Sequence, residues 1–225
     1  MFRLRQKRPE LALWFRARLC TVGGPFSFQF SDITMSTTRS STVPVHAQFI
    51  ERMSPRAFVP EALSAAQIEQ LVEAARWAPS ASNKQPWHFA YALRDDANWQ
   101  AFSQIPNEAN RRWCLNGGAL IVLLSDKQAS AAKHSFDAGC AWGYLALQAH
   151  AMGLATHAMG GFSADEARKV LNLPEHLVPE CVIAVGRRAD ASTLPDDLRE
   201  REQPSGRKPL AEMLSAGAVQ AAATA

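Results

Sequence analysis

The stretch Ala78-Pro79-Ser80-Ala81-Ser82-Asn83-Lys84-Gln85-Pro86-Trp87-His88-Phe89 joins a helical pattern to a strand-like one through a run of small and polar residues. Upstream, between Leu63 and Trp77, Ile68, Leu71, Val72 and Ala75 recur at helical spacing, and Ser64 stands where an N-cap belongs. Pro79 ends that helix, because proline has no amide donor and its ring collides with the preceding turn. Pro86 then leads into His88-Phe89-Ala90-Tyr91-Ala92-Leu93, a length that suits a buried strand, although periodicity alone leaves a short helix open. A loop of this kind, braced at both ends, is where a rigid scaffold commonly presents functional groups.

The flanking chain gives further elements. Gln48 to Arg52 opens a helix cut short by Pro55. Trp99 to Ile105 reads as a short helix, and Ala109 to Asn116 is ambiguous. Ala119-Leu120-Ile121-Val122-Leu123-Leu124 is a central strand candidate, short, apolar and bounded by Gly117-Gly118 and Ser125-Asp126. Ala155 to Ala158 and Glu180 to Val185 read as further strands. Ser163 opens a helix to Leu171, with Glu166 spaced for a capping box. The run from Phe136 to Met152 is apolar almost all round, the profile of a helix buried on most sides. Its small residues, Gly139, Ala141, Gly143 and Ala146 among them, suit either a central core helix or a homodimer interface.

Composition excludes several classes. A chain of 225 residues fits one generous domain, and a formal charge of +3, evenly mixed along the body, does not point to nucleic acid. Cys20, Cys114, Cys140 and Cys181 form no C-x-x-C pair, so neither a zinc site nor a redox dithiol is indicated, and free thiols fit a reducing cytoplasm. No apolar run approaches the ~20 residues that span a bilayer. The histidines show no metal-binding spacing, and dinucleotide, P-loop and nucleophile-elbow motifs are missing from the sequence. Residues 1–44 stand apart as an N-terminal extension, Arg-rich up to Asp32, and are either a disordered tail or sequence ahead of a start at Met35. The body is expected over 45–215, with a loose tail at 216–225.

Two groups are candidates for chemistry, the plain alternatives being two solvated surface arginines and an ordinary loop before a helix. Arg52, Ser54 and Arg56 alternate around Pro55, and a phosphate needs several charge-assisted donors of this kind converging on it. Gly160-Gly161 follows a strand and precedes a capped helix, and glycine permits close approach of the backbone to a flat ring.

Five blocks in order resemble the FMN-dependent nitroreductase family: Glu51 to Phe58, Ala78 to Phe89, Asp137 to Thr156, Met159 to Phe162, and Ser205 to Leu210. The resemblance spans roughly Gln48 to Leu214. It implies an α+β sandwich with a mostly antiparallel central sheet flanked by helices, a homodimer with FMN at the subunit interface, NAD(P)H as donor, and two-electron reduction of nitroaromatics or quinones. By the same resemblance Arg52 and Ser54 hold the phosphate end, and Arg56 faces the N1–O2 edge of the flavin. Met53 stands where relatives often carry another basic residue. Arg207 is implied as a second phosphate clamp, helped by Lys208 because Ser205 replaces a lysine of some relatives. Pro79, Ser80, Ala81 and Asn83 are implied to reach the flavin from the other subunit. Asn110 is matched to an asparagine at the N3–O2 edge, an ordinary capping or turn role being the alternative. The Gly161 amide is implied to point at N5, with Gly160 where an acidic residue is common. Reductive dehalogenation, flavin destruction or a flavin carrier with little turnover are the rival readings on the same scaffold.

Overall fold

The computed structural model describes residues 39–219. Residues 1–38 and 220–225, with most of the expected N-terminal extension and Cys20, lie outside them.

Seven α-helices and four strands follow one another along the described chain, with three short 3₁₀ turns besides: α1 (Ala47–Glu51), α2 (Ala65–Arg76), β1 (Trp87–Leu93), α3 (Trp99–Phe102), α4 (Glu108–Cys114), β2 (Ala119–Asp126), α5 (His134–Ala151), β3 (Ala155–Met159), α6 (Ala164–Val170), β4 (Leu177–Gly186) and α7 (Asp196–Arg199). The strands form one sheet in the order β1-β2-β4-β3, and every pairing is antiparallel. The expected α+β sandwich is what the chain forms.

Its layers follow from the period-2 pattern of the two central strands. Leu120, Val122 and Leu124 of β2, with Val182 and Ala184 of β4, turn to one face and pack with Phe58, Phe102, Ile105, Trp113 and Ala167. Ala119, Ile121 and Leu123, with Ile183 and Val185, turn to the other and pack with Ile68, Leu71 and Ala75 of α2 and Ala138, Ala141, Leu145 and Ala149 of α5. Both faces are covered, so these strands read as unbroken apolar runs. The register shifts between Leu123 and Leu124, opposite Cys181 and Pro179, leaving Glu180 as the extra residue of a bulge. That bulge lets β4 run back through Pro179 to Leu177, beyond the segment expected from sequence. Gly118 must lack a side chain, because a Cβ there would fall 2.4 Å from the Glu61 carbonyl oxygen.

The helix ends repay their sequence signals. Ser64 and Gln67 form a full capping box on α2. At α6 only half of the expected box is present: the Ser163 hydroxyl accepts from Glu166 N at 3.1 Å, while the Glu166 carboxylate lies 3.5 Å from Lys169. The ambiguous segment is α4, capped by Asn107, whose Oδ1 accepts from Asn110 N at 3.0 Å.

One expectation needs correction. Within the chain α5 is not buried on most sides: Phe136 is 76% exposed, Gly139 and Tyr144 are exposed, and a Cβ on Gly139 or Gly143 would meet nothing within 4 Å. Its buried residues occupy the opposite face. The apolar profile therefore exceeds what this chain's own core uses.

Candidate functional site

Three guanidiniums converge between the end of α1 and the C-terminal segment. Arg52, at the C-cap of α1, donates from Nη1 to the Ser54 hydroxyl at 3.3 Å. Arg207 donates from Nη1 to the Ser205 hydroxyl at 3.1 Å, and Arg39 donates to that same hydroxyl at 3.1 Å from Nη2. Through Nη1, Arg39 also donates to the carbonyls of Arg52 at 2.9 Å and Ile50 at 3.2 Å. Among the described residues none of the three is ion-paired with a carboxylate. Burial first, and then the charges of Arg207 and Arg39, push the Arg52 guanidinium below its ordinary pKa. Burial and Arg207 act on Arg39 in the same direction. A cluster of three like charges and two hydroxyls, with no counter-charge among the described residues, has the donor set of a phosphate site.

The segment carrying Arg52, Met53, Ser54 and Arg56 is fixed from beneath by Glu202. This carboxylate is 3% exposed and accepts from Arg56 N through both oxygens, at 2.9 and 3.0 Å, and from Ala57 N at 3.2 Å. His157 of β3 holds the same segment from the sheet. Its Nδ1 lies 2.9 Å from the Pro55 carbonyl oxygen, which can only accept, so Nδ1 carries a proton. The ring packs at 4.5 Å from Trp113, which also stacks on Phe58 and has the Arg56 guanidinium 5.9 Å over its face. Burial is the main cause that lowers the His157 pKa, aided by the charges of Arg56 and Arg52 against the opposite pull of the Pro55 hydrogen bond and Glu202.

β3 delivers Gly160-Gly161 to the same side of the sheet. The Gly161 carbonyl accepts from Asn107 N at 3.0 Å and from Asn110 Nδ2 at 2.9 Å. A Cβ on Gly161 would fall 2.6 Å from Asn107 Nδ2 and 2.7 Å from Asn110 Nδ2, so any side chain here would have to displace the amides of the α4 cap and first turn. A Cβ on Gly160 would meet nothing within 4 Å. The Asn110 amide nitrogen is engaged inside the chain, which leaves its Oδ1 for any ligand. Arg52, Ser54, Arg56, Asn110, Gly160, Gly161 and Arg207 thus belong to one connected assembly of α1, α4, β3 and the C-terminal segment.

The loop with Pro79, Ser80, Ala81 and Asn83 is organised elsewhere. Ala81 N donates to Asp137 Oδ2 at 3.1 Å, and Gln85 N to the Ser80 hydroxyl at 2.9 Å. Asp137 is 2% exposed in the first turn of α5, where a negative charge is favoured. Ser82, Asn83 and Gln85 all take left-handed φ values, of 53, 55 and 49°. Three such residues in one loop are costly and are held by these hydrogen bonds, a concentration of strain typical of ligand-contacting segments.

The Nitroreductase family model matches residues 50–187. The chain belongs to the nitroreductase family. A crystal structure described as an oxidoreductase containing FMN is 40% identical, superposes with a TM-score of 0.79, and is covered over 98% of its length by 82% of this chain. A structure described as a putative nitroreductase in complex with FMN, from Desulfovibrio desulfuricans, is 26% identical with a TM-score of 0.63, over 80% of this chain and 100% of that one. A protein of Archaeoglobus fulgidus named "Putative NADH dehydrogenase/NAD(P)H nitroreductase" is 29% identical over 142 residues, 60% of this chain and 80% of its own.

Sequence reasoning missed three residues that hold this candidate site together. Asp137 had a signal, being the one acid inside an apolar run at a helix start. Arg39 lies in a Ser/Thr-rich stretch and Glu202 in the charged run Arg199-Glu200-Arg201-Glu202, and neither has a periodicity or spacing that marks it.

Proposed function

We propose that the chain is an FMN-dependent oxidoreductase that takes two electrons from NAD(P)H and passes them to nitroaromatic, quinone or similar flat acceptors. The observation that carries this is the cluster of Arg39, Arg52 and Arg207, none of them ion-paired with a carboxylate among the described residues, joined through Pro55, His157 and Trp113 to the elements that carry the Gly160-Gly161 turn. Bound there, FMN would supply hydride acceptance and donation at N5. Arg52 and Arg207, with the Ser54 and Ser205 hydroxyls, hold the phosphate, and Glu202 and His157 keep the Arg52–Phe58 segment in register to do so. Arg56 lies next along that segment, stacked on Trp113, and would set a positive charge against the flavin edge where negative charge gathers on reduction. The Met53 backbone continues the phosphate-side wall. No side chain is assigned as acid or base.

Two copies are proposed to pair along α5. The open stripe of Phe136, Gly139, Gly143 and Tyr144 would be covered, and the Pro79–Asn83 loop, anchored to Asp137 at the start of that helix, would reach the partner's flavin. NAD(P)H added anaerobically should bleach the bound flavin, and a quinone should restore its colour. A flavin that stays oxidised under NAD(P)H would favour a carrier and refute the oxidoreductase reading.

A further inference from the structure

Arg39 stands ahead of every block shared with the family, yet it makes more hydrogen bonds to the phosphate-side assembly than Arg52 or Ser54. Its Nη1 is held by two carbonyls at the C-terminal end of α1, and its Nη2 shares the Ser205 hydroxyl with Arg207. Both N–H groups of Nη1 and one of Nη2 are thus engaged, and Nε is closed off from solvent, so the N–H that Arg39 keeps for an anion is the second one on Nη2. Among the described residues it is placed against two further cations with no carboxylate to pair it, an arrangement that an anion would relieve.

We propose that Arg39 is a third phosphate-binding arginine of this site, which makes the site selective for a phosphate-bearing flavin over its dephosphorylated form. The proposal rests on the reading of the site as an FMN site. Arg39 acts in two ways: it adds positive charge at the anion, and its bonds to the Arg52 carbonyl and the Ser205 hydroxyl tie together the two segments that carry the other clamps, Ser205 lying 166 residues from Arg39 itself. Only the first depends on a phosphate being present, so the two are separable by ligand choice.

The test compares the protein with its Arg39→Gln and Arg39→Lys variants as apoproteins, each titrated with FMN and with riboflavin by flavin fluorescence. Inorganic phosphate is scored in parallel by its rise in melting temperature against chloride at equal ionic strength. Loss of one charge-assisted contact should weaken FMN binding of Arg39→Gln about tenfold or more, with riboflavin changed less than about twofold and with phosphate stabilisation reduced. Arg39→Lys keeps the charge without the planar fork and should fall between, and it decides the matter if Arg39→Gln does not fold. Equal losses for FMN and riboflavin would make Arg39 a strut and overturn the proposal, as would unchanged FMN affinity. If the parent binds phosphate in an Arg39-dependent way but no flavin, the anion role of Arg39 stands and the FMN reading falls.

Discussion

Replacing Glu202 by Gln perturbs the cofactor-side segment through a residue that touches no ligand. The carboxylate receives two backbone donors, Arg56 N at 2.9 and 3.0 Å and Ala57 N at 3.2 Å, in a site closed to water. A hydrogen bond to a charged acceptor contributes roughly 1.5–3 kcal/mol and one to a neutral acceptor roughly 0.5–1.5. Gln keeps the shape and can still offer a carbonyl oxygen, so the loss is about 1 kcal/mol per donor and about 2 kcal/mol for the pair. For a chain of this size that corresponds to a fall in melting temperature of roughly 4–8 °C. Circular dichroism would follow the unfolding, with Glu200→Gln as the exposed neighbour for control. Because the loosened segment carries Arg52, Ser54 and Arg56, FMN affinity should fall with it. A Glu202→Gln variant with the parent's melting temperature and FMN affinity would refute the claim that this buried carboxylate positions the segment.

The remaining predictions concern the clamp, the buried imidazole and the assembly. Changing Arg52 and Arg207 together to Ala should weaken FMN binding by about a hundredfold while leaving riboflavin binding within a few-fold, measured by fluorescence titration; equal losses would remove the phosphate assignment. His157 has a pKa held below its ordinary 6.5, so the folded state binds fewer protons than the unfolded one. Its contribution to stability is therefore complete above about pH 6.5 and is lost as pH falls below that value. Chemical denaturation across that range should show the decline, and His157→Gln should flatten it. Sedimentation should give twice the chain mass with no stable monomer, and a flavin-loaded monomer would defeat the shared site.

Much of the fold was legible because both central strands are buried on two faces and so announce themselves as short apolar runs, as Ala119 to Leu124 does. Helix starts were legible where a short polar side chain caps them, at Ser64 and Ser163. The start of β4 was not, since Pro179 reads as a strand breaker until the bulge at Glu180 supplies a place for it. The exposed face of α5 was illegible for a different reason: hydrophobicity records that a helix needs covering but not whether its own chain provides the cover. At the site, Arg52, Ser54 and Gly161 were marked by short spacings. Arg39 and Glu202 act across more than a hundred residues, through a single hydroxyl and a pair of amides, and long-range polar contacts leave no local pattern.

The central claim is that the arginine cluster and the Gly160-Gly161 turn hold FMN. Its most direct test is to denature the purified protein and identify and count any flavin released, after supplying FMN and removing the excess. Close to one FMN per chain is expected. Protein that retains no flavin, or that retains riboflavin as readily as FMN, would contradict it.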